Sequence, residues 1–586
     1  MSEIYNKNLQ EIKKLSIDIY RQLKKENRKT SVKIKLNKAG QKNIIKIHND
    51  SEFLVHSNYD VRLQSKVICD YAHQDDKEVV VIFGMGLGYE VDQIIKKAPK
   101  KKYIIIEPAF DIFKLMVKNI DFTKYLSGNY DIKFIIGEQS KFICNDLITK
   151  LNEINSWNIK FIILPYHRYI YKNIIDKVLK TIKERILIEK INIGTTLSRD
   201  RQWVFNYAKN TQYLNETLMV SNISECKNIP AIIVGAGPSL ELNLSHLKTI
   251  NRKAVIVGAG NSVKILEENN IKADIVGAID SSERTEEIYR NLNLNKDSIF
   301  FYSTEVFSKI PQMFNGKKYL MIKNGMDNYI NNKISHKHMK VVSGPSITNI
   351  LAYNLSLLGF NPIIFLGQDM CGSKEKFYAK GSIHDNKVSK THKLDIEMYN
   401  KIGKKVITNN AFLTMKISME DIIKHFPKTT YLNGTHAGLN IEGAVDIDFN
   451  NYAEDVLVNL KDINLNCFDN QSVDGRDDIY IEILNDVNIV RETIDNALKF
   501  IQEENDEKKK KIYIKRTNKS LDNMQFYRDV LKYGFGSLLD TLYRKEDYID
   551  QNEKKYMYYL DKCNVMIEGL NSIKLGDKKE DYKIYE

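Results

Sequence analysis

The strongest chemical signal in the chain is Val234-Gly-Ala-Gly-Pro-Ser239, which closes the apolar run AIIV. Gly235 and Gly237 let the backbone turn tightly and let a ligand approach with no side chain in the way. Pro238 suits the first turn of a following helix, where its missing N–H costs nothing. Free backbone N–H groups and a helix dipole at such a turn favour a phosphate or carboxylate, and Ser239 adds a hydroxyl. The phrase recurs as Val257-Gly-Ala-Gly-Asn-Ser262, and a third strand ends in Gly277-Ala-Ile-Asp-Ser-Ser282. A single short glycine turn serves strand–helix packing as often as binding. Several at one carboxyl edge, with Asn261 and Asp280 beside them, point to a nucleotide pocket. The pattern is neither the P-loop G-x-x-x-x-G-K-[ST] nor a full G-x-G-x-x-G.

Two later segments join them. Val342-Ser343-Gly344-Pro345-Ser346 precedes the apolar helix SITNILAYNLSLLG and offers another anion-friendly start. The strand PIIFL ends in Gly367-Gln368-Asp369, a carboxylate and an amide able to hold a ribose, a base or a sugar. The structural alternative is that Asp369 caps its own turn. Near the N-terminus, Gly84-Met-Gly-Leu-Gly88 with Glu107 downstream mimics a dinucleotide or S-adenosylmethionine fingerprint. Pro108 follows Glu107 at once and no methyltransferase motif comes after it, so a structural Rossmann-like domain is the better reading.

The elements that must position these groups fall into three regions. Residues 1–215 open with a helix, continue in short alternating strands such as Lys42–His48, and reach the unit VVVIFGMGLGYEVDQIIKKA followed by KYIIIEPAF. Residues 216–445 alternate buried strands (AIIVG, AVIVG, DIVGAID, SIFFYS, KYLMI, MKVVS, PIIFLGQD, TTYLNGT) with amphipathic helices. That rhythm predicts parallel βαβ units in a doubly wound α/β sheet. Residues 446–586 carry apolar positions at helical spacing, as at Ile483, Val487, Val490, Ile494 and Leu498, and predict a helical C-terminal domain.

Composition narrows the setting. The 586 residues have 43% apolar and 28% charged side chains, an ordinary soluble mixture needing more than one core. No apolar run reaches the ~18 residues of a membrane helix. The charged start MSEIYNKNLQEIKKL lacks the apolar core of a signal peptide, and a cytoplasmic location is expected. The net charge of +13 is spread along the chain, and its densest run, Lys508 to Lys511, follows Glu503, Glu504, Asp506 and Glu507. This is a solvated helix face, not a nucleic-acid groove. The cysteines (69, 144, 226, 371, 467, 563) are scattered without a C-x-x-C pair, so buried free thiols are expected, with no disulfide framework and no structural zinc.

In order, Gly235-Ala-Gly-Pro-Ser-Leu240, Gly258-Ala-Gly-Asn261, Ser343-Gly344 and Gly367-Gln-Asp369 resemble the central domain of motility accessory factor glycosyltransferases. Asn433-Gly-Thr-His-Ala-Gly-Leu-Asn-Ile-Glu-Gly443 resembles that domain's closing segment, and Phe83-Gly-Met-Gly-Leu-Gly88 with Ile106-Glu107-Pro108 resembles the family's N-terminal domain. The central domain is in turn similar to bacterial sialyltransferases that use CMP-sialic acid. By that similarity Ser239, Asn261, Ser343, Gly344 and Asp369 would contact CMP, with Gly235, Gly237, Pro238, Asp280 and Gln368 lining the pocket and Tyr378 where a phosphate-binding tyrosine stands. The resemblance implies transfer of a pseudaminic or legionaminic type sugar from a CMP donor to serine or threonine of flagellin.

Such a donor leaves with oxocarbenium character, so the phosphate must be stabilised and the acceptor hydroxyl deprotonated. Related sialyltransferases carry a histidine before the last helix of the domain, but the stretch from Thr408 to Met419 has none. His384 is the preferred candidate base, ahead of His392 and His436. Asp446-Ile-Asp448 has the spacing of metal-binding glycosyltransferases, but alternating polarity there also suits an edge strand, and the sialyltransferase analogy needs no metal or other cofactor. Two rivals remain. Pterin pyrophosphokinases share the central pattern and bind ATP, while a non-catalytic flagellin chaperone would need none of the Gly/Asp constellation.

Overall fold

The structure, a computed structural model, describes residues 3–25, 31–48, 51–126, 130–154, 156–250, 252–337, 339, 341, 344–373, 376–383, 396–469 and 478–574. The chain forms two compact units, Met1–Lys190 and Ile191–Glu586. The division falls inside one helix, Lys172–Asn210.

The first unit holds two sheets. An antiparallel one contains β1 (Val32–Leu36), β2 (Lys42–His48) and β3 (Ser51–Leu54). A parallel one contains β4 (Val79–Phe83), β5 (Lys102–Glu107), β6 (Asp131–Ile136) and β7 (Ile159–Ile163) in the order β6-β5-β4-β7. β4 is buried along its whole length, which is why VVVIF reads as a continuous apolar run without alternation. The order reverses between β4 and β7, and the Gly84–Gly88 turn leaves β4 there.

Among the described residues, the second unit is built on a nine-stranded parallel sheet. Its strands are β8 (Thr217–Met219), β9 (Ala231–Val234), β10 (Val255–Ala259), β11 (Ile275–Ala278), β12 (Ile299–Tyr302), β13 (Lys318–Leu320) and β14 (Ile363–Leu366). A separate hairpin, β15 (Ile396–Tyr399) with β16 (Lys405–Thr408), precedes β17 (Tyr431–Asn433) and β18 (Val445–Asp446). The sheet order is β18-β17-β14-β9-β10-β11-β12-β13-β8. From β9 the chain winds outward to β13, then crosses back to place β14 on β9's other side. That reversal between β9 and β14 is the point where open α/β sheets leave a crevice. β18 is the edge strand, as the alternating polarity around Asp446 suggests.

The predicted strands AIIVG, AVIVG, DIVGAID, SIFFYS, KYLMI, PIIFLGQD and TTYLNGT correspond to β9 to β14 and β17. MKVVS lies largely outside the described residues. The C-terminal pattern folds as the helix Ile479–Glu503, which buries Ile483, Val487, Val490, Ile494 and Leu498. These residues share one hydrophobic core with sheet residues such as Ile232, Phe300 and Ile364.

One cysteine expectation is corrected. Cys226 and Cys467, 241 residues apart, pair as a disulfide with Cα atoms at 6.0 Å. Both belong to the core on one face of the large sheet, a juxtaposition that sequence spacing does not reveal. Cys69, Cys144, Cys371 and Cys563 are free.

Candidate functional site

The glycine turn after β9 and the residues after β14 are built into one another. Gly235 donates its N–H to the Leu366 carbonyl at 2.8 Å, and Gly237 donates to the Gly367 carbonyl at 2.9 Å. A Cβ on Gly235 would land on the Gln368 amide, and one on Gly237 on the Asp369 carboxylate. Gly367, at φ +60°, has the left-handed conformation that only glycine takes freely. These glycines make room for the site. Gly258 and Gly277 have the plainer role: Gly258 faces Val263 and Leu266, and Gly277 faces Ile347 and Leu351, as close strand–helix packing requires.

Asp369 is 5% exposed and accepts from Ser239 Oγ at 2.8 Å and from the Ser239 N–H at 3.3 Å, both on Oδ2. Burial pushes its carboxyl up to about 6, against the pull of Ser239 and Lys401. It is therefore bound by a neighbouring turn and is not simply a cap of its own. Gln368 is 6% exposed; its N–H donates to Thr435 Oγ1 at 3.1 Å, while its side-chain Nε2 has no partner. Asn261, two residues past β10, has a buried side-chain oxygen with no partner among the described residues. Its neighbour Ser262 stitches the two strand ends together, accepting from the Ala259 N–H at 2.9 Å and donating to the Val234 carbonyl at 2.6 Å. A buried amide donor and a buried amide acceptor without a partner among the described residues are costly, and these two stand past the ends of β14 and β10, on either side of β9.

The closing segment braces this edge. Leu439 donates its N–H to the Asp369 carbonyl at 2.9 Å, and Gly438 approaches so closely that a Cβ would meet Asp369 Cα at 2.7 Å. Asn433 supports Thr435 through a 3.2 Å bond and donates to Asp446 Oδ1 at 2.9 Å. Asp446 also pairs with Lys401 at 2.7 Å, and Asp448 caps the helix Phe449–Asp455. Both carboxylates of the D-x-D are thus engaged in structure.

Other candidates are placed less directly. Pro238 opens a five-residue 3-10 turn, Pro238–Leu242, and not the α-helix expected, so the dipole argument is weaker there. Gly344 precedes Ser346, which caps the helix Ile347–Leu357 by accepting the Thr348 N–H. Ile347 packs against Gly260, which brings this helix start to the end of β10. Asp280 is exposed at the end of β11, where it accepts from Arg199 at 3.1 Å and from the Ser282 N–H at 2.9 Å. Tyr378 is half-buried, its ring centroid 6.5 Å from that of Phe412, and burial raises its phenol. His436 is exposed in the closing segment. Ser343, His384 and His392 lie outside the described residues.

Sequence reading missed Thr435 and Glu241 as supports, and a second buried cluster altogether. Asp327 accepts from Ser303 Oγ, both donors of Thr304, and the N–H groups of Lys323 and Asn324. Burial pushes its carboxyl up to about 6. The polar run Ser303-Thr304-Glu305 closing β12 was the available signal. With every described donor satisfied, the cluster reads as a tie between β12 and β13.

The matching turn in the first unit is differently arranged. Glu107 takes the N–H groups of Met85 at 2.8 Å and Gly86 at 3.3 Å, and His56 Nε2 accepts the Leu87 N–H at 2.8 Å. His167 Nε2 lies 3.0 Å from Glu107 Oε1, and all three side chains are buried. A Cβ on Gly84 would land in the His167 ring, and one on Gly86 in the His56 ring. The protein's own groups fill the place a pyrophosphate takes in a dinucleotide fold.

The glycine contrast gives a direct prediction. Gly237→Ala is expected to displace Asp369, to cost about 1–3 kcal/mol of stability by overpacking, and to weaken nucleotide binding by at least about tenfold. Gly194→Ala, in a helix with nothing within 4 Å of the new Cβ, is expected to leave binding unchanged. Calorimetric titration with CMP on both variants checks this.

Fold and site together define a doubly wound α/β protein in which the polar strand ends Gly235–Ser239 and Gly367–Asp369 meet at the topological switch point of the larger sheet. Residues 55–188 match the family model for the Glycosyltransferase Maf N-terminal domain. Residues 204–375 match the model for 6-hydroxymethylpterin diphosphokinase MptE-like proteins. Among solved structures, the Maf glycosyltransferase from Magnetospirillum magneticum AMB-1 shares the fold at TM-score 0.57 and 14% identity, over 98% of this chain and 96% of that one. No curated protein matches the chain. No helix of the described residues is long and apolar enough to cross a membrane.

Proposed function

We propose that the chain is a glycosyltransferase that moves a nonulosonic acid of pseudaminic or legionaminic type from a CMP donor to serine or threonine hydroxyls of flagellin. The observation that carries the reading is Asp369 held by Ser239 at the switch point between β9 and β14, with Gln368 Nε2 next to it and Asn261 Oδ1 past the end of β10 both buried and without a partner among the described residues, in a chain whose residues 55–188 match the Maf N-terminal domain model. One offers a donor and the other an acceptor, the complement a nucleotide's polar edge requires.

In this reading the bond between the sugar's anomeric carbon and the CMP phosphate oxygen breaks, and a bond from that carbon to the acceptor oxygen forms. CMP departs with the electron pair, and the hydroxyl proton passes to a base, for which His384 stays the proposed candidate. In the same reading Ser239, Gly344 and the helix start at Ile347 serve the departing phosphate, and Ser343, which lies outside the described residues, is the further candidate for that role. Asp369, fixed by Ser239, holds the nucleotide-sugar. No metal enters the scheme.

The match of residues 204–375 favours a second reading, diphosphate transfer from ATP to a hydroxymethyl pterin, because the same crevice lies within it. Intact-mass measurement of unmodified flagellin with CMP-nonulosonic acids decides between them. The expected result is a mass gain of whole sugar units, absent with Asp369→Ala. No gain with any donor, together with turnover of ATP and a pterin, would replace the first reading by the second. Flagellin that binds but gains no mass, with no turnover of either kind, would favour the chaperone.

A further inference from the structure

The segment 376–383, which carries Tyr378, is fastened to the glycine turn. Ala379 donates its N–H to the Ala236 carbonyl at 2.9 Å. One residue on, the Lys380 N–H reaches Glu241 Oε1 at 2.6 Å, and Lys376 Nζ reaches the same oxygen at 2.7 Å. Gly381, at φ +88°, seats against Glu268 so closely that a Cβ would land on its carboxylate. Glu241 lies within the Pro238–Leu242 turn, two residues after Ser239. Burial works against its charge, but Lys376 and the Lys380 N–H outweigh that and hold its carboxyl below the usual range.

A turn that served only to close a strand onto a helix would have no use for a carboxylate grasping a backbone 139 positions away. The residues on either side of Tyr378 are the ones held. Lys376 and Lys380 flank it, and the Ala379 bond sets its backbone beside Ala236.

We propose that Glu241 is a positioning residue of the nucleotide-sugar site, a clasp that holds segment 376–383, and with it Tyr378, across the glycine turn. The proposal rests on the reading of that crevice as the donor site. Without the clasp the donor must order the segment as it binds, so apparent affinity falls by the fraction of molecules already closed. Once the donor is bound the segment is in place and the chemical step is unchanged. A rise in KM with kcat preserved is the signature of such a role.

Two measurements on wild type, Glu241→Ala and Glu241→Gln test it. Glu241 is 36% exposed, so both variants are expected to fold, and equal thermal midpoints would verify that. In ligand-free protein, hydrogen exchange over 376–383 is expected to speed by about tenfold in Glu241→Ala, the scale of a lost charge-assisted bond. With CMP-sugar, KM is expected to rise about tenfold while kcat stays within about twofold. Glu241→Gln, whose amide oxygen still accepts the Lys380 N–H, is expected to fall between the two. Unchanged exchange in Glu241→Ala overturns the clasp, and a fall in kcat with KM unmoved overturns the positioning role. A wild type that binds no CMP-sugar removes the donor-site reading and with it the proposed role, while the exchange result separately decides whether Glu241 holds the segment.

Discussion

Asp369→Asn is expected to abolish most sugar transfer, by about a hundredfold or more, while leaving the protein as stable at neutral pH as the wild type or more so. The two halves have different origins. Asparagine keeps the shape and can still accept from Ser239 Oγ, so the turn and strand remain joined. What it lacks is the negative charge of a largely buried carboxylate, and removing one preorganised polar group from such a site typically costs about 10²–10³ in rate. The stability half follows from burial, which raises the Asp369 carboxyl to about 6. A carboxyl raised in the folded state contributes stability that is complete below about pH 4, its free value, and is lost as pH rises through about 6. The full loss amounts to about 3 kcal/mol. Thermal midpoints of the two proteins should therefore converge near pH 4 and separate above pH 6 in favour of the variant. CMP-sugar binding by the wild type should show an acid limb near pH 6. A variant that transfers sugar normally would remove Asp369 from the site, and parallel midpoints at all pH values would mean that its carboxyl is not held neutral by burial.

How much of this was readable from sequence depends on whether a feature is local. Each strand end with its glycine and polar residue is a local signal, because a parallel strand buried on both faces must be apolar and must end in a turn. AIIVG, PIIFLGQD and their fellows were recoverable for that reason, as was the Ile483-to-Leu498 face. Which strands become neighbours is not local. That β14 returns to lie beside β9 decides that Gly235 makes room for Gln368, whereas Gly258, its counterpart in almost the same motif, packs against Val263. The same limit hid the Cys226–Cys467 pair, the clasp at Glu241 and the support of Gln368 by Thr435, since each joins segments far apart in the chain. Asp280 shows how far the surroundings of two like strand ends can differ. Its strand-end position is as good as Asp369's, yet it is exposed and paired with Arg199.

Glu107→Ala is expected to produce the largest loss of stability, about 3–5 kcal/mol, confined to the first unit. Glu107 is fully buried and answers the N–H groups of Met85, Gly86 and Ala109 as well as His167. Truncation leaves all of these donors without water or partner, and breaking a buried, hydrogen-bonded charge cluster costs that much in other proteins. Burial alone would raise the Glu107 carboxyl, but His167 and the backbone donors outweigh it and hold it below the usual carboxylate range. A depressed carboxyl contributes stability that is present above about pH 4 and lost as pH falls through its folded value, so acid should erode the first unit in the wild type and do little further to the variant. Limited proteolysis across residues 1–190, followed with temperature, measures the unit separately from the rest of the chain. The carboxylate occupies the anion position of a mononucleotide turn. If it substitutes for a phosphate there, added sulfate or phosphate should protect Glu107→Ala from proteolysis while leaving the wild type unmoved. Glu107→Gln should not be protected, because its amide still fills the space and presents donors to donors. Equal protection of all three proteins would mean that the anions stabilise the chain generally and do not take Glu107's place among the N–H groups of the turn.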